Sequence, residues 1–358
     1  MKGRIYAIIL ITAFFAGSVG VFFAASFTLE DTVNAVVGFV VSIAIVPIIH
    51  ELGHVTTAKS KGMNVVYVKC FCLRFFKKGG KIHIRFASPM RADETRAIPK
   101  KGGDMQRRAL AYISGGLVFS GVLALLLAGA AILLLCLKIS SFTLWGMLPY
   151  ALYLFLLNAI PVQYANGKTD ALTYREVKKA TVEGKALLNA MEIQGRLYAG
   201  ERYSEIPVEF YETYALREDE PLFALLWEAK YHYYLEKNDL EKGADALNRL
   251  IASGDYLTDE MLLNVRVETA YMFLLQKDAS ELKRLQESDE EFLRSDDYRA
   301  KRLLATYAYA CGEEARGEAL VEQAKISLKK EEVQGLAKHE LLLLERLQTN
   351  NGQRNDPN

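Results

Sequence analysis

Four long apolar stretches crowd into the first 160 residues, at about Ile5–Phe27, Val33–His50, Leu110–Leu137 and Phe142–Leu157. A hydrocarbon core takes roughly 20 helical residues to cross, somewhat fewer where one end is polar. Lipid offers no partners to backbone N–H and C=O groups, so such stretches are confined to helices that satisfy their own hydrogen bonds. The sequence therefore predicts transmembrane helices over about 5–27, 33–54, 108–137 and 142–160. The first, preceded by Lys2 and Arg4, has the flavour of a secretory signal, but it is too long for one and a second span follows closely, so it is read as an uncleaved anchor. Hydrophobic residues make up 51% of the chain, an ordinary average that hides a division. Residues 1–170 carry 18 Lys/Arg against 7 Asp/Glu, and residues 171–358 carry 26 against 36.

Charge between the spans sets their orientation. Lys59 to Arg108 holds 14 Lys/Arg and 3 Asp/Glu, while the connectors Thr28–Thr32 and Lys138–Ser141 hold one basic residue between them. By the positive-inside rule the Lys59–Arg108 segment is cytoplasmic, and four spans put both termini on that side. The expected location is a multi-pass integral membrane protein, in a bacterial plasma membrane. The basic excess is accounted for by topology, and no nucleic-acid partner is expected.

The period changes after the second span. Val65–Phe76 and Lys81–Phe86 are rich in β-branched and aromatic residues, and Lys77-Lys78-Gly79-Gly80 separates them, so a cytoplasmic β-hairpin is predicted within residues 64–88. Cys70 and Cys72 fall on one face of its first strand, as ordinary strand residues. Arg91–Gly103 is a polar link.

From Ala171 onward the pattern is helical. Trp227, Tyr234, Asn238-Asp239-Leu240, Gly243 and Leu247 have the spacing of a tetratricopeptide motif, and Gly312-Glu313 with Gly317 repeats its turn. Weaker copies turn at Lys277-Asp278 and Gly200-Glu201. A soluble array of tetratricopeptide-like helical hairpins is expected over 176–348, after a membrane domain over 1–175, with an irregular bundle as the alternative. The polar tail 349–358 is expected to be disordered.

His50-Glu51-Leu52-Gly53-His54 carries the chemistry. Residues i and i+4 of a helix share a face, so both imidazoles can reach one zinc ion, with Glu51 beside it as general base. The chain has only five histidines, and two of them lie here at the end of an apolar span, where ionisable groups are costly and functional by default. A zinc catalyst uses three protein ligands and an open position. Asp170, just past the last span and on the same side as His54, is the third candidate.

This order of H-E-x-x-H, basic hairpin, further span, and then Asn158-Ala159-Ile160-Pro161 leading to Asp170 resembles the site-2 protease family of intramembrane zinc metalloproteases, over about residues 30–175. The resemblance implies zinc held by His50, His54 and Asp170, Glu51 as general base, Asn158 as a substrate-holding residue, and a membrane-protein or membrane-associated peptide as substrate. Two departures matter. The short form of the second motif would place its aspartate at Asn166, whereas the longer-spaced form places it at Asp170; Asn166 in the ligand position would imply a weakened or inactive relative. A glycine-proline common near the start of the third span is replaced by Ser114-Gly115-Gly116, which retains a close helix contact. The expected activity is zinc endopeptidase, with a metal-binding membrane scaffold as the alternative, its repeats open to a protein partner.

Overall fold

The computed structural model describes residues 28–78, 81–87, 93–100, 102–164, 167–211 and 216–352. They are mostly helical, with one small antiparallel sheet and a two-strand ribbon. The chain divides into two compact units, Met1–Leu188 and Asn189–Asn358, a boundary inside a helix and beyond the expected one near 175.

Within the first unit, helix α1 (Leu29–Ser60) starts on a capping box, in which the Thr28 hydroxyl accepts from Asp31 N and the Asp31 carboxylate accepts from Thr28 N. Its buried face is Ala35, Gly38, Ser42, Val46, His50, Gly53, His54 and Ala58, and Val36, Val37, Val40, Ile48 and Leu52 are exposed. With Pro47 and Glu51 also buried, the helix turns mainly small and polar residues inward, Val46 and Pro47 excepted, and most of its large apolar ones outward. Helices α2 (Met105–Cys136) and α3 (Phe142–Ala159) complete a set of three that are long and apolar enough to cross a membrane. The fourth expected span, 5–27, lies outside the described residues.

Glycines set how closely these helices approach. A Cβ on Gly53 would lie 2.3 Å from the Gly115 carbonyl oxygen, one on Gly38 2.0 Å from that of Thr143, and one on Gly146 1.9 Å from that of Ala35. Such small-residue packing lets backbones meet where apolar burial cannot drive association. The Gly115-Gly116 pair is therefore the helix contact that the Ser-Gly-Gly sequence predicted.

The predicted hairpin is found as two paired strands, with Lys78 opposite Lys81, inside a larger four-stranded sheet in the order β3-β2-β1-β4, with β1 Asn64–Cys70, β2 Leu73–Lys78, β3 Lys81–Phe86 and β4 Glu94–Ile98. The expected first strand breaks at Phe71, which takes φ 53°, so Cys72 lies in a turn and does not share a strand face with Cys70. Asp93 stabilises that turn by accepting from Phe71 N at 2.6 Å and from Lys69 Nζ at 3.3 Å. Strand β4 arises from the segment read as a polar link and pairs with β1, Thr95 opposite Val68.

After α3, the ribbon β5 (Gln163–Tyr164) and β6 (Gly167–Lys168) leads into α4 (Asp170–Lys178) and α5 (Val182–Tyr198). The second unit continues through α6 (Pro221–Glu236), α7 (Leu240–Ala252), α8 (Asp259–Leu275), α9 (Ser280–Ser288), α10 (Glu290–Arg294), α11 (Tyr298–Ala310), α12 (Glu314–Leu328) and α13 (Gln334–Gly352). Helix ends at Gly200, Asn238, Lys277 and Gly312 all take a left-handed residue, at steps of 38, 39 and 35. In each, the next N–H reaches back five residues, as Asp239 N does to Tyr234 O. Helices in the first unit close likewise at Gly62 and Ala180, so the spacing and not the closure is what recurs. The turn at Gly200 is followed by 3₁₀ turns at Tyr203–Glu205 and Val208–Tyr211 in place of a second helix.

In an open solenoid each repeat touches only its neighbours. Here α13 returns to the start of the unit: Lys338 Nζ donates to Gly200 O at 2.7 Å, His339 Nδ1 lies 2.7 Å from Glu236 Oε1, and Arg346 donates to the Leu235 and Glu236 carbonyls. The enclosed core holds Arg302, fully buried, against Glu268 at 2.5 Å and Glu340 at 3.3 Å. Helix α13 runs through Gly352, so Thr349–Gly352 of the tail expected to be disordered is helical, and residues 353–358 lie outside the described set.

Candidate metal centre

Helical spacing brings His50 and His54 onto the buried face of α1, and α2 fixes their rings. The Tyr112 carbonyl can only accept, so His54 donates to it from Nδ1 at 2.9 Å and turns Nε2 toward His50. His50 Nδ1 lies 2.8 Å from the Ser120 hydroxyl, a polar side chain within the apolar stretch of α2. Both rings are thereby anchored on the nitrogen facing away from the site, the usual arrangement behind a metal-binding histidine.

Asp170 is brought to them by its neighbour Thr169. The Thr169 hydroxyl donates to Ile160 O at 2.8 Å and accepts from Val162 N and Leu172 N, which ties the end of α3 to the start of α4. At the other end of α4, Gln106 at the start of α2 donates to Val177 O. These bonds hold Asp170 Oδ2 3.3 Å from His50 Nε2 and 3.3 Å from His54 Nε2, and the two Nε2 atoms are themselves 3.3 Å apart.

Three ligand atoms at equal separations fit a tetrahedral ion. With bonds of about 2.0 Å, tetrahedral edges come to about 3.3 Å. Asp170 Oδ2 is buried without a hydrogen-bond donor of its own. Gly116 keeps the space open, since a Cβ there would stand 2.4 Å from His54 Nε2 and 2.8 Å from His50 Nε2. Among the described residues, this is the group of His, Cys, Asp or Glu side chains that could hold a metal ion.

Glu51, next to His50 on α1, is buried and points to the sheet. Its Oε2 accepts from the Thr95 hydroxyl at 2.6 Å, and the Thr95 carbonyl accepts from the Tyr112 hydroxyl. Asn158 donates from Nδ2 to Leu154 O one turn back on its own helix, the contact of a helix-end residue. Asn166 lies outside the described residues. His83 stacks on Phe76 in the sheet, His232 and His339 meet edge-on in the second unit, and among the described residues none of the three belongs to the group of His50, His54 and Asp170.

Thr95, Tyr112 and Ser120 were not singled out by the sequence, and Gly116 only as a helix contact. Ser120, a hydroxyl in a long apolar run, carried a readable signal, and Gly116 stood in the Ser-Gly-Gly stretch. Thr95 carried none, lying 44 residues from Glu51 in a segment read as a link. In comparison with known proteins the chain matches no family model, and it has no significant match among curated proteins or solved structures.

Proposed function

We propose that the chain is a membrane-embedded zinc endopeptidase of the site-2 protease type, cleaving a transmembrane or juxtamembrane segment of another protein. The observation that carries this reading is the equilateral group of His50, His54 and Asp170 with the Glu51 carboxylate on the adjoining residue of the same helix. Supporting a membrane setting are three long apolar helices, two of which, α1 and α2, expose large side chains such as Val40, Leu52, Leu125 and Leu133. Both termini are cytoplasmic in this reading, on the charge asymmetry between spans.

Zinc, when bound, polarises a peptide carbonyl and lowers the pKa of water to around 7. Glu51 accepts the attacking water's proton and returns it to the leaving amine. A helical substrate has to unwind first, because its carbonyls are engaged in its own hydrogen bonds. An edge strand of the four-stranded sheet, β3 or β4, is the place where such an opened strand would pair. Asn158 is the candidate to hold that strand, by exchanging its bond to Leu154 O for one to the substrate.

The second unit serves in this reading as a tetratricopeptide-like partner-binding domain, supported by four left-handed turns at near-regular steps. Co-expression with candidate single-span proteins, comparing wild type with Glu51→Gln, tests the reading. Products that depend on Glu51 are expected. A protein that keeps zinc but releases no product from any candidate would favour the scaffold alternative.

A further inference from the structure

We propose that Thr95 is a positioning residue for Glu51, and that Tyr112 locks it in place, so that strand β4 aims the general base. This rests on the hydrolase reading above and adds a residue to it. The observation is a closed circuit of four side chains drawn from three elements. On α1, Glu51 and His54 are three residues apart. From Glu51 the circuit runs through the Thr95 hydroxyl, the Thr95 carbonyl, the Tyr112 hydroxyl and the Tyr112 carbonyl back to His54 Nδ1.

Each link is directional. The Thr95 hydroxyl spends its single proton on Glu51 Oε2 at 2.6 Å, which leaves Oε1 as the oxygen to exchange a proton with water. A carboxylate has two soft torsions beyond Cβ, and a buried donor on one oxygen fixes the plane of the group. Thr95 is itself 5% exposed and sits on a paired strand, so its hydroxyl has little freedom to turn away. Tyr112 uses its two ends for different partners, the carbonyl for the His54 ring and the hydroxyl for the strand. A shift of β4 therefore moves the base relative to the metal ligands. General acid–base groups contribute about 10²–10⁴-fold, and misplacing one forfeits part of that factor.

The test compares Thr95→Val, isosteric without the donor, with Thr95→Ser, which keeps it. For a substrate established with wild type and lost with Glu51→Gln, Thr95→Val should lower kcat roughly 10- to 100-fold with KM and zinc content unchanged, and Thr95→Ser should retain at least half of kcat. A second readout needs no turnover. In infrared difference spectra of zinc-free, ¹³C-glutamate-labelled protein, Thr95→Val should shift one glutamate carboxyl band, and the shift should vanish in the Glu51→Gln background. The proposal is overturned if Thr95→Val keeps wild-type kcat, if Thr95→Ser is as impaired as Thr95→Val, or if no band depends on both residues. Should wild type and Glu51→Gln both fail to cleave, the hydrolase reading has failed, and the infrared cycle still reports on the Thr95–Glu51 contact.

Discussion

A Cβ placed on Gly116 would stand 2.4 Å from His54 Nε2, far inside van der Waals separation, so the smallest possible enlargement of α2 pushes on the atom proposed to hold zinc. Gly116→Ala should therefore weaken zinc binding by at least tenfold, read by competition with a chromophoric chelator. Gly129 on the same helix has nothing within 4 Å of its Cβ position, and Gly129→Ala should bind zinc as wild type does.

Ser120 supports the same site from behind. Removing a group that orients a metal-ligating histidine costs about 10–100-fold in metal affinity. Ser120→Ala should fall in that range while leaving the fold intact, because the lost hydroxyl touches His50 Nδ1 at 2.8 Å and a methyl group fills nearly the same space. Zinc affinity within twofold of wild type would remove Ser120 from the set of supporting residues.

Much of this centre was legible in the sequence because it depends on local rules. The i,i+4 spacing of His50 and His54 follows from the helix alone, and Asp170 was the carboxylate just past the last apolar run. What escaped depended on pairings that no local pattern encodes. The turn between β1 and β2 uses Phe71 in a left-handed conformation where glycine would have announced it. Strand β4 is five residues long and lies in a polar stretch, so its partner, not its composition, makes it a strand. The return of α13 rests on bonds such as Lys338 to Gly200, 138 residues apart.

Acid should loosen the second unit. Burial, followed by the proximity of His339, holds the His232 pKa down to about 3. Burial opposes ionisation of Glu236, yet the His339 hydrogen bond outweighs it and holds that carboxyl down to about 2. Below pH 6.5 the unfolded chain takes up a proton at residue 232 that the folded chain refuses. Stability should then fall by about 1.4 kcal/mol per pH unit toward pH 3. The Glu236 contribution is complete above pH 4.5 and is lost in the same direction as pH drops toward 2. Denaturant titrations followed by Trp227 fluorescence in a Trp145→Phe background check this, and His232→Gln should flatten the slope between pH 6 and 4.

The buried ion pair makes an independent prediction. Arg302 has no exposed surface, and Glu268 meets it at 2.5 Å. Glu268→Gln leaves a buried cation short of a partner and should cost about 3–5 kcal/mol. Hydrogen exchange should show the loss in helices α8 and α11, and zinc content should not change.

Zinc stoichiometry across one set of purified variants decides whether His50, His54 and Asp170 form a metal centre. About one zinc per chain is expected for wild type, Glu51→Gln and Asn166→Ala, and a large loss for His50→Ala, His54→Ala and Asp170→Asn, because each of the latter removes one of three ligands. Loss with Asn166→Ala together with full retention in Asp170→Asn would contradict this assignment, moving the third ligand to the shorter-spaced position and making the inactive-scaffold reading the better one.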